Sequence, residues 1–280
     1  MRVIEAEKIK DVVSRLFIEA NTILRDDVLE ALKDVLKKEK NKMAKDILSA
    51  IIKNASIAKK EGLAICQDTG LPVVFLEIGQ DLKIMGDLYR AIQEGVKQGY
   101  KRGYLRNSIV EPILRKTPRF DPAVIYTEMI KCDRLKITVL PKGFGCENKT
   151  KLKMFNPTAS IEEIKKFIID TVREAGPDAC PPFVVGVGIG GTADYACFLA
   201  KKALLKKISN SKFQIPNSQI FKLERELLKE INKLNIGPMG LGGGTTVLGV
   251  NILTYPTHIA GLPVAVNISC HALRTATIFL

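Results

Sequence analysis

Ala123-Val124-Ile125-Tyr126-Thr127-Glu128-Met129-Ile130, Lys131-Cys132-Asp133-Arg134 and Leu135-Lys136-Ile137-Thr138-Val139-Leu140 follow one another directly. Two β-branched, apolar runs separated by four polar residues predict two strands joined as an antiparallel hairpin. Working outward, Val73-Val74-Phe75-Leu76-Glu77-Ile78 reads as a strand after the Gly70-Leu71-Pro72 turn, and Asp87 to Tyr100 as a helix. Ala179 to Gly188 holds a short apolar strand, followed by Gly190-Gly191-Thr192 and a helix to about Lys207. Thr245 to Thr254 and Leu262 to Cys270 read as two buried strands around Pro256-Thr257-His258. Ser160, with Glu163 three residues on, is a capping box for a helix to Glu174, and Gln219 to Leu234 is a further amphipathic helix. The first sixty residues carry three helical patterns, among them Ile9, Val12, Val13, Leu16, Phe17 and Ala20. Strands that come partly as hairpin neighbours and partly separated by helices predict an α+β fold. We expect a single domain over 1–280. Its N-terminal helical layer, about 1–62, would pack on a mixed, largely antiparallel sheet in 63–280. No internal repeat is visible, and Lys207 to Pro216 reads as an exposed loop.

The chain has 280 residues, 46% of them hydrophobic, which excludes global disorder. No apolar run approaches the roughly 18 residues of a membrane span. The N-terminus carries early acids and no apolar signal core, so the six cysteines are expected reduced, in a cytoplasm. The net charge of +13 suits nucleic acid, a membrane surface or an anionic substrate. The lysines are scattered over polar helix faces, however. Trp is absent and aromatics are sparse, so no base-stacking platform is apparent. The expectation is a solvated basic surface with neither nucleic acid nor membrane as partner.

Three cysteines stand at the edge of a small-residue turn or at the end of an apolar run: Cys66 in Cys66-Gln67-Asp68-Thr69-Gly70, Cys180 in Cys180-Pro181-Pro182, and Cys270 before His271. None belongs to a CxxC pair, and no zinc-finger spacing is present. Three such thiols suit a cluster held by three ligands, its fourth corner left for substrate. The Cys66 turn also carries an amide, a carboxylate and a hydroxyl, which suit either substrate and proton handling or an Asp that bonds its own backbone. Pro141 to Lys149 places Gly143 and Gly145 between Lys142 and Lys149, where backbone amides can approach an anion; a simple turn explains it equally. Gly186-Val187-Gly188-Ile189-Gly190-Gly191 is GxGxGG rather than a dinucleotide fingerprint, and Lys206-Lys207 stands where an acid would be needed. A close strand–helix crossing, or a helix N-terminus facing an anionic centre, explains it as well. Gly237 to Thr246 lacks a P-loop ending and lets backbone pack against a bulky body or another subunit. Cys146 reads as a small filler thiol, and His271 as a partner to the cluster ligands.

Taken together, Ile65 to Gly70, Pro141 to Gly145, Cys180-Pro181-Pro182 with Gly188 to Thr192, Gly237 to Gly243, and Thr257-His258-Ile259-Ala260-Gly261 resemble the α subunit of the two-subunit class I fumarate hydratases. The L-tartrate dehydratase α subunit belongs to the same iron–sulfur hydro-lyase family. The resemblance runs from about residue 10 to the C-terminus. It implies a [4Fe–4S] cluster with one labile, substrate-facing iron on Cys66, Cys180 and Cys270. It further implies substrate contacts from Gln67, Asp68, Arg106, Gly143, Gly145 and His258, with Asp68 and His258 as catalytic groups. Cys146 stands where that family more readily carries Ser. The implied reaction is the reversible hydration of fumarate to (S)-malate, with tartrate dehydration as the alternative. A separate β subunit would complete the site, in a heterotetramer or on an α dimer. Two other classes remain in view at this stage: a non-catalytic iron–sulfur or redox-sensing protein, and a basic nucleic-acid binder.

Overall fold

The computed structural model describes residues 2–208 and 218–280. The loop expected over Lys207–Pro216 falls, apart from its first two residues, outside them. The elements in chain order begin with β1 (Arg2–Glu5), α1 (Ala6–Thr22), α2 (Asp26–Lys38), α3 (Lys42–Glu61), β2 (Leu71–Gly79), β3 (Leu82–Met85) and α4 (Leu88–Arg102). They continue with β4 (Val124–Ile130), β5 (Leu135–Lys142), α5 (Phe144–Glu147), β6 (Lys151–Phe155), α6 (Ile161–Ala175) and β7 (Phe183–Gly190). Last come α7 (Ala193–Ala203), α8 (Gln219–Asn232), β8 (Val247–Tyr255), β9 (Leu262–Ser269) and β10 (Ala276–Phe279). No helix among the described residues is long and apolar enough to cross a membrane. The composition is α+β with mixed sheets, as the sequence predicts. The expected capping box at Ser160 and Glu163 is present, and Asp87 caps α4 through its side chain.

The chain forms two compact units. The first comprises 1–25, 54–144 and 274–280; the second comprises 26–53 and 145–273. The three N-terminal helices are therefore divided: α1 belongs to the first unit and α2 to the second.

In the first unit the strand order is β10-β5-β2-β4. The expected hairpin of β4 and β5 does not form, because β2 lies between them, parallel to β4 and antiparallel to β5. The cause lies in β2 itself. Pro72 to Leu76 are buried, so this strand cannot serve as an edge and takes a neighbour on each side. The polar link 131–134 then crosses the end of β2, where Gly79 N–H donates to Arg134 O and Gln80 N–H to Ile130 O. Ile9, Val13 and Phe17 of α1 and Ile92, Val96 and Tyr100 of α4 cover the apolar face presented by Val74, Leu76, Ile137 and Val139.

The second unit repeats the plan without repeating the sequence. Its order is β6-β9-β7-β8, and β7 is parallel to β8 and antiparallel to β9. Val185 and Val187 of β7 pack with Ile164, Ile168 and Val172 of α6 and with Leu227 and Ile231 of α8. The opposite face of β7 carries Gly186 and Gly188. A Cβ there would lie 2.1 Å from Ala200 O and 2.1 Å from Ala196 O, respectively. The glycine run is thus the seat of α7 on the sheet, the strand–helix crossing expected of it. Gly188→Ala forces α7 off β7 and should lower unfolding stability by about 1–3 kcal/mol. A urea midpoint equal to that of the parent chain would contradict this packing.

Candidate functional site

Unit one builds a polar turn at the entrance to β2. Asp68 Oδ1 accepts from Gly70 N–H at 2.9 Å, and Oδ2 accepts from Phe144 N–H at 2.8 Å. Two amides thus orient the carboxylate. Tyr100 is buried and donates its hydroxyl to Gly70 O at 2.8 Å; burial pushes its ionisation far above the usual phenol range, so it stays a neutral donor. Gly70 has φ +78°, and a Cβ would meet the Pro141 and Lys142 backbone at under 3 Å. Only glycine brings the turn this close to the end of β5. Thr69 Oγ1 accepts from Arg106 N–H at 2.9 Å, which ties the exposed Arg106 segment to the same turn. One guanidinium nitrogen of Arg106 donates to Gln67 O at 3.4 Å, and the Cys66 thiol reaches Gln67 Oε1 at 3.4 Å.

The first unit therefore gathers Cys66, Gln67, Asp68, Arg106 and Gly143. Gly145 belongs to the second unit. The glycine loop does offer an amide to an anion, and that anion is the chain's own Asp68.

Sequence reasoning missed Arg274. Its side chain is 3% exposed, with Nη1 donating to Asp68 O at 2.5 Å and to Asn21 Oδ1 at 3.1 Å. Neither apolar periodicity nor any motif marks it. The one signal is a lone arginine in the apolar C-terminal run after Cys270.

Unit two places Cys180 and Cys270 at the strand-end edge of its sheet, where the inner strand β7 begins and the inner strand β9 ends. Cys180 precedes β7 by three residues, and Cys270 directly follows β9, whose last residue Ser269 pairs with Val184. His271 Nδ1 lies 3.1 Å from Cys180 O, joining the two segments. Cys180 itself is left-handed, with φ +57° and ψ +66°, a conformation that costs a non-glycine residue on the order of 1 kcal/mol or more. The glycine-rich loop 237–246 supports this turn: Met239 N–H donates to Pro181 O at 2.8 Å, and Gly240 packs on Pro177. Cys146 fills the core and its thiol donates to Ala179 O at 3.2 Å, in keeping with a filler role. Burial also pushes the Cys197 thiol up, so that it loses its proton less readily than a free thiol.

His258 is not at that edge. Its loop is pinned to the far end of β7, where Thr257 Oγ1 donates to Gly191 O at 2.9 Å and Gly191 N–H to Pro256 O at 3.2 Å. The full length of β9 separates it from Cys270, eight residues or about 23 Å at strand rise. An imidazole spans only a small part of that.

All six cysteines are present as thiols, and Cys66, Cys180 and Cys270 are each partly exposed. Among the described residues no three His, Cys, Asp or Glu side chains converge as a preformed metal site. Soft, accessible thiols next to strand ends are nonetheless the donor set that an iron–sulfur cluster takes. The paired edge positions of Cys180 and Cys270 fit such a group.

Known proteins are similar to this chain over nearly its whole length. A putative L(+)-tartrate dehydratase subunit alpha of Methanocaldococcus jannaschii is 44% identical over 278 residues, 96% of each chain. The L(+)-tartrate dehydratase subunit alpha of Escherichia coli K12 is 30% identical over 278 residues, covering 98% of this chain and 91% of that protein. The same-named protein of Shigella boydii serotype 4 gives the same figures. The family model described as fumarate hydratase (fumerase) matches residues 10–279, nearly every element from α1 to β10. With both sheets, the Asp68 turn and the three edge cysteines inside that match, this chain belongs to the fumarate hydratase (fumerase) family of hydro-lyases.

Proposed function

We propose that this chain is the α subunit of a [4Fe–4S]-dependent hydro-lyase that interconverts fumarate and (S)-malate, completed by a separate β subunit. The observation that carries the reading is the convergence of Gln67, Asp68, Arg106 and Gly143 beside Cys66, with Cys180 and Cys270 sharing one sheet edge. Cys66, Cys180 and Cys270 would be the cluster ligands. When bound, such a cluster supplies a Lewis-acidic iron with an open coordination position.

The chain's own residues bind and orient a small dianion. Arg106 is exposed and spends one nitrogen on Gln67 O, so the remaining N–H groups of its fork are available to grip a substrate carboxylate. The Gln67 amide, on the same turn, adds a donor and an acceptor to substrate oxygen atoms. Dehydration removes hydroxide from one carbon and a proton from its neighbour; hydration returns both. Asp68, fixed by two amide donors, holds the proton at Oδ2 or hydrogen-bonds to the β-subunit group that abstracts it. The names of the relatives favour a second reading, L(+)-tartrate, which differs by one further hydroxyl.

His258 enters this scheme only from elsewhere. Since β9 holds it about 23 Å from Cys270, its proposed substrate contact requires a second copy of the chain. This makes an α dimer, as in an α2β2 heterotetramer, a condition of activity.

Three outcomes test these assignments. The anaerobically reconstituted α–β complex should turn over fumarate and malate faster than tartrate; a preference for tartrate would establish the second reading, and no turnover of any of them would overturn both. Cys66→Ser, Cys180→Ser and Cys270→Ser should each lower iron content and cluster absorbance, whereas Cys132→Ser and Cys197→Ser should not. A full cluster in all three of the first group would refute the ligand set. Finally, α carrying His258→Ala and α carrying Cys270→Ser should each be inactive alone with β. Mixed equally, they should recover about a quarter of parental activity, because half the dimers are hybrid and each hybrid has one intact site. Absence of recovery would place His258 outside the site or require a different route to it.

A further inference from the structure

We infer that Arg274 is a positioning residue for the substrate turn Cys66–Gly70, acting as the buried brace that fixes the Asp68 peptide; the inference rests on the reading of that turn as the substrate site. A guanidinium 3% exposed is costly to bury, because an ionised group leaves water only at several kcal/mol unless its partners compensate. Here both acceptors that it reaches are neutral oxygens, Asp68 O and Asn21 Oδ1, and Nε is buried with no hydrogen-bond partner. An apolar side chain would fill the same space at less cost. The retained charge points to a task at the turn.

The contacts show what the task is. Arg274 joins three segments that are distant in sequence. Asn21, fully buried near the end of α1, accepts from Arg274 through Oδ1 while its main-chain O accepts Ile65 N–H at 2.9 Å. The turn is thus held at Ile65 by Asn21 and at Asp68 by Arg274. The third segment is the Gly143 loop. A Cβ at Gly143 would lie 3.2 Å from Asp68 Oδ2 and 3.3 Å from Arg274 Nη2, so the glycine leaves room for both side chains beside the loop. Fixing the Asp68 carbonyl sets the plane of the Asp68–Thr69 peptide, and with it the directions of the Asp68 and Thr69 side chains, the second of which accepts Arg106 N–H. Arg274 is too deeply buried to touch substrate; it presets the geometry with which its neighbours do so.

The test compares Arg274→Lys, Arg274→Met and Arg274→Ala in the α–β complex. Arg274→Met should lower kcat/KM about 100-fold, the scale of an ångström-sized misplacement, with KM rising as well as kcat falling. Arg274→Lys, which keeps a buried cation able to reach Asp68 O, should recover part of the loss. Millimolar guanidinium should partly rescue Arg274→Ala and leave the parent unchanged. An independent measurement needs no catalysis. Amide hydrogen exchange at Ile65 and Gly70 should quicken at least tenfold in Arg274→Met while the amides of β7 and β9 exchange as before. If those amides keep their parental protection, or if Arg274→Met folds with parental kcat and KM, the inference is overturned. A wild-type complex that turns over no dicarboxylate would instead defeat the functional reading, and the exchange measurement would still decide whether Arg274 braces the turn.

Discussion

Everything in this chain hangs on one burial constraint. β2 and β7 are each too apolar to tolerate an open edge, and each must be flanked on both sides. In both units the solution is the same: the next long strands bracket the first, one parallel and one antiparallel. That choice determines where chemistry can sit. The turn entering the central strand and the turn leaving its antiparallel neighbour are brought side by side at one sheet edge. Gln67, Asp68 and Gly143 meet there in the first unit, and Cys180 and Cys270 do so in the second. The opposite ends of the same strands receive loops that take no part in that edge, His258 among them.

Much of the fold was legible because it is local. The amphipathic spacing of α1, the Ser160 capping box and the Asp87 cap depend on residues within one or two turns. Strand partnership is not local. The Ala123–Leu140 stretch looks like a hairpin to any reading of adjacent segments, since nothing within it reveals that a strand fifty residues earlier outcompetes its own neighbour. The short strands β1, β3, β6 and β10 are likewise hidden, because four or five residues are too few to show a strand period of their own.

The candidate site divides along the same line. Cys66, Gln67, Asp68, Cys180 and Cys270 could be singled out from their motif context, and the family resemblance added Arg106. Arg274 and Asn21 carry no motif. Their importance arises only from the closing of a network across α1, the Cys66 turn and the C-terminal segment. The place of His258 depends on the same order of strands: β9, eight residues of extended chain, sets its loop apart from Cys270.

The repetition of one strand plan in both units has a further consequence. Each sheet edge offers two turn positions, so the chain as a whole offers four: Cys66 and Cys180 before the central strands, Gly143 and Cys270 directly after their antiparallel neighbours. Three bear a thiol, and the fourth bears the smallest residue available. A change in either turn of a unit can therefore re-aim its polar or thiol groups without touching the strand register that holds that sheet together.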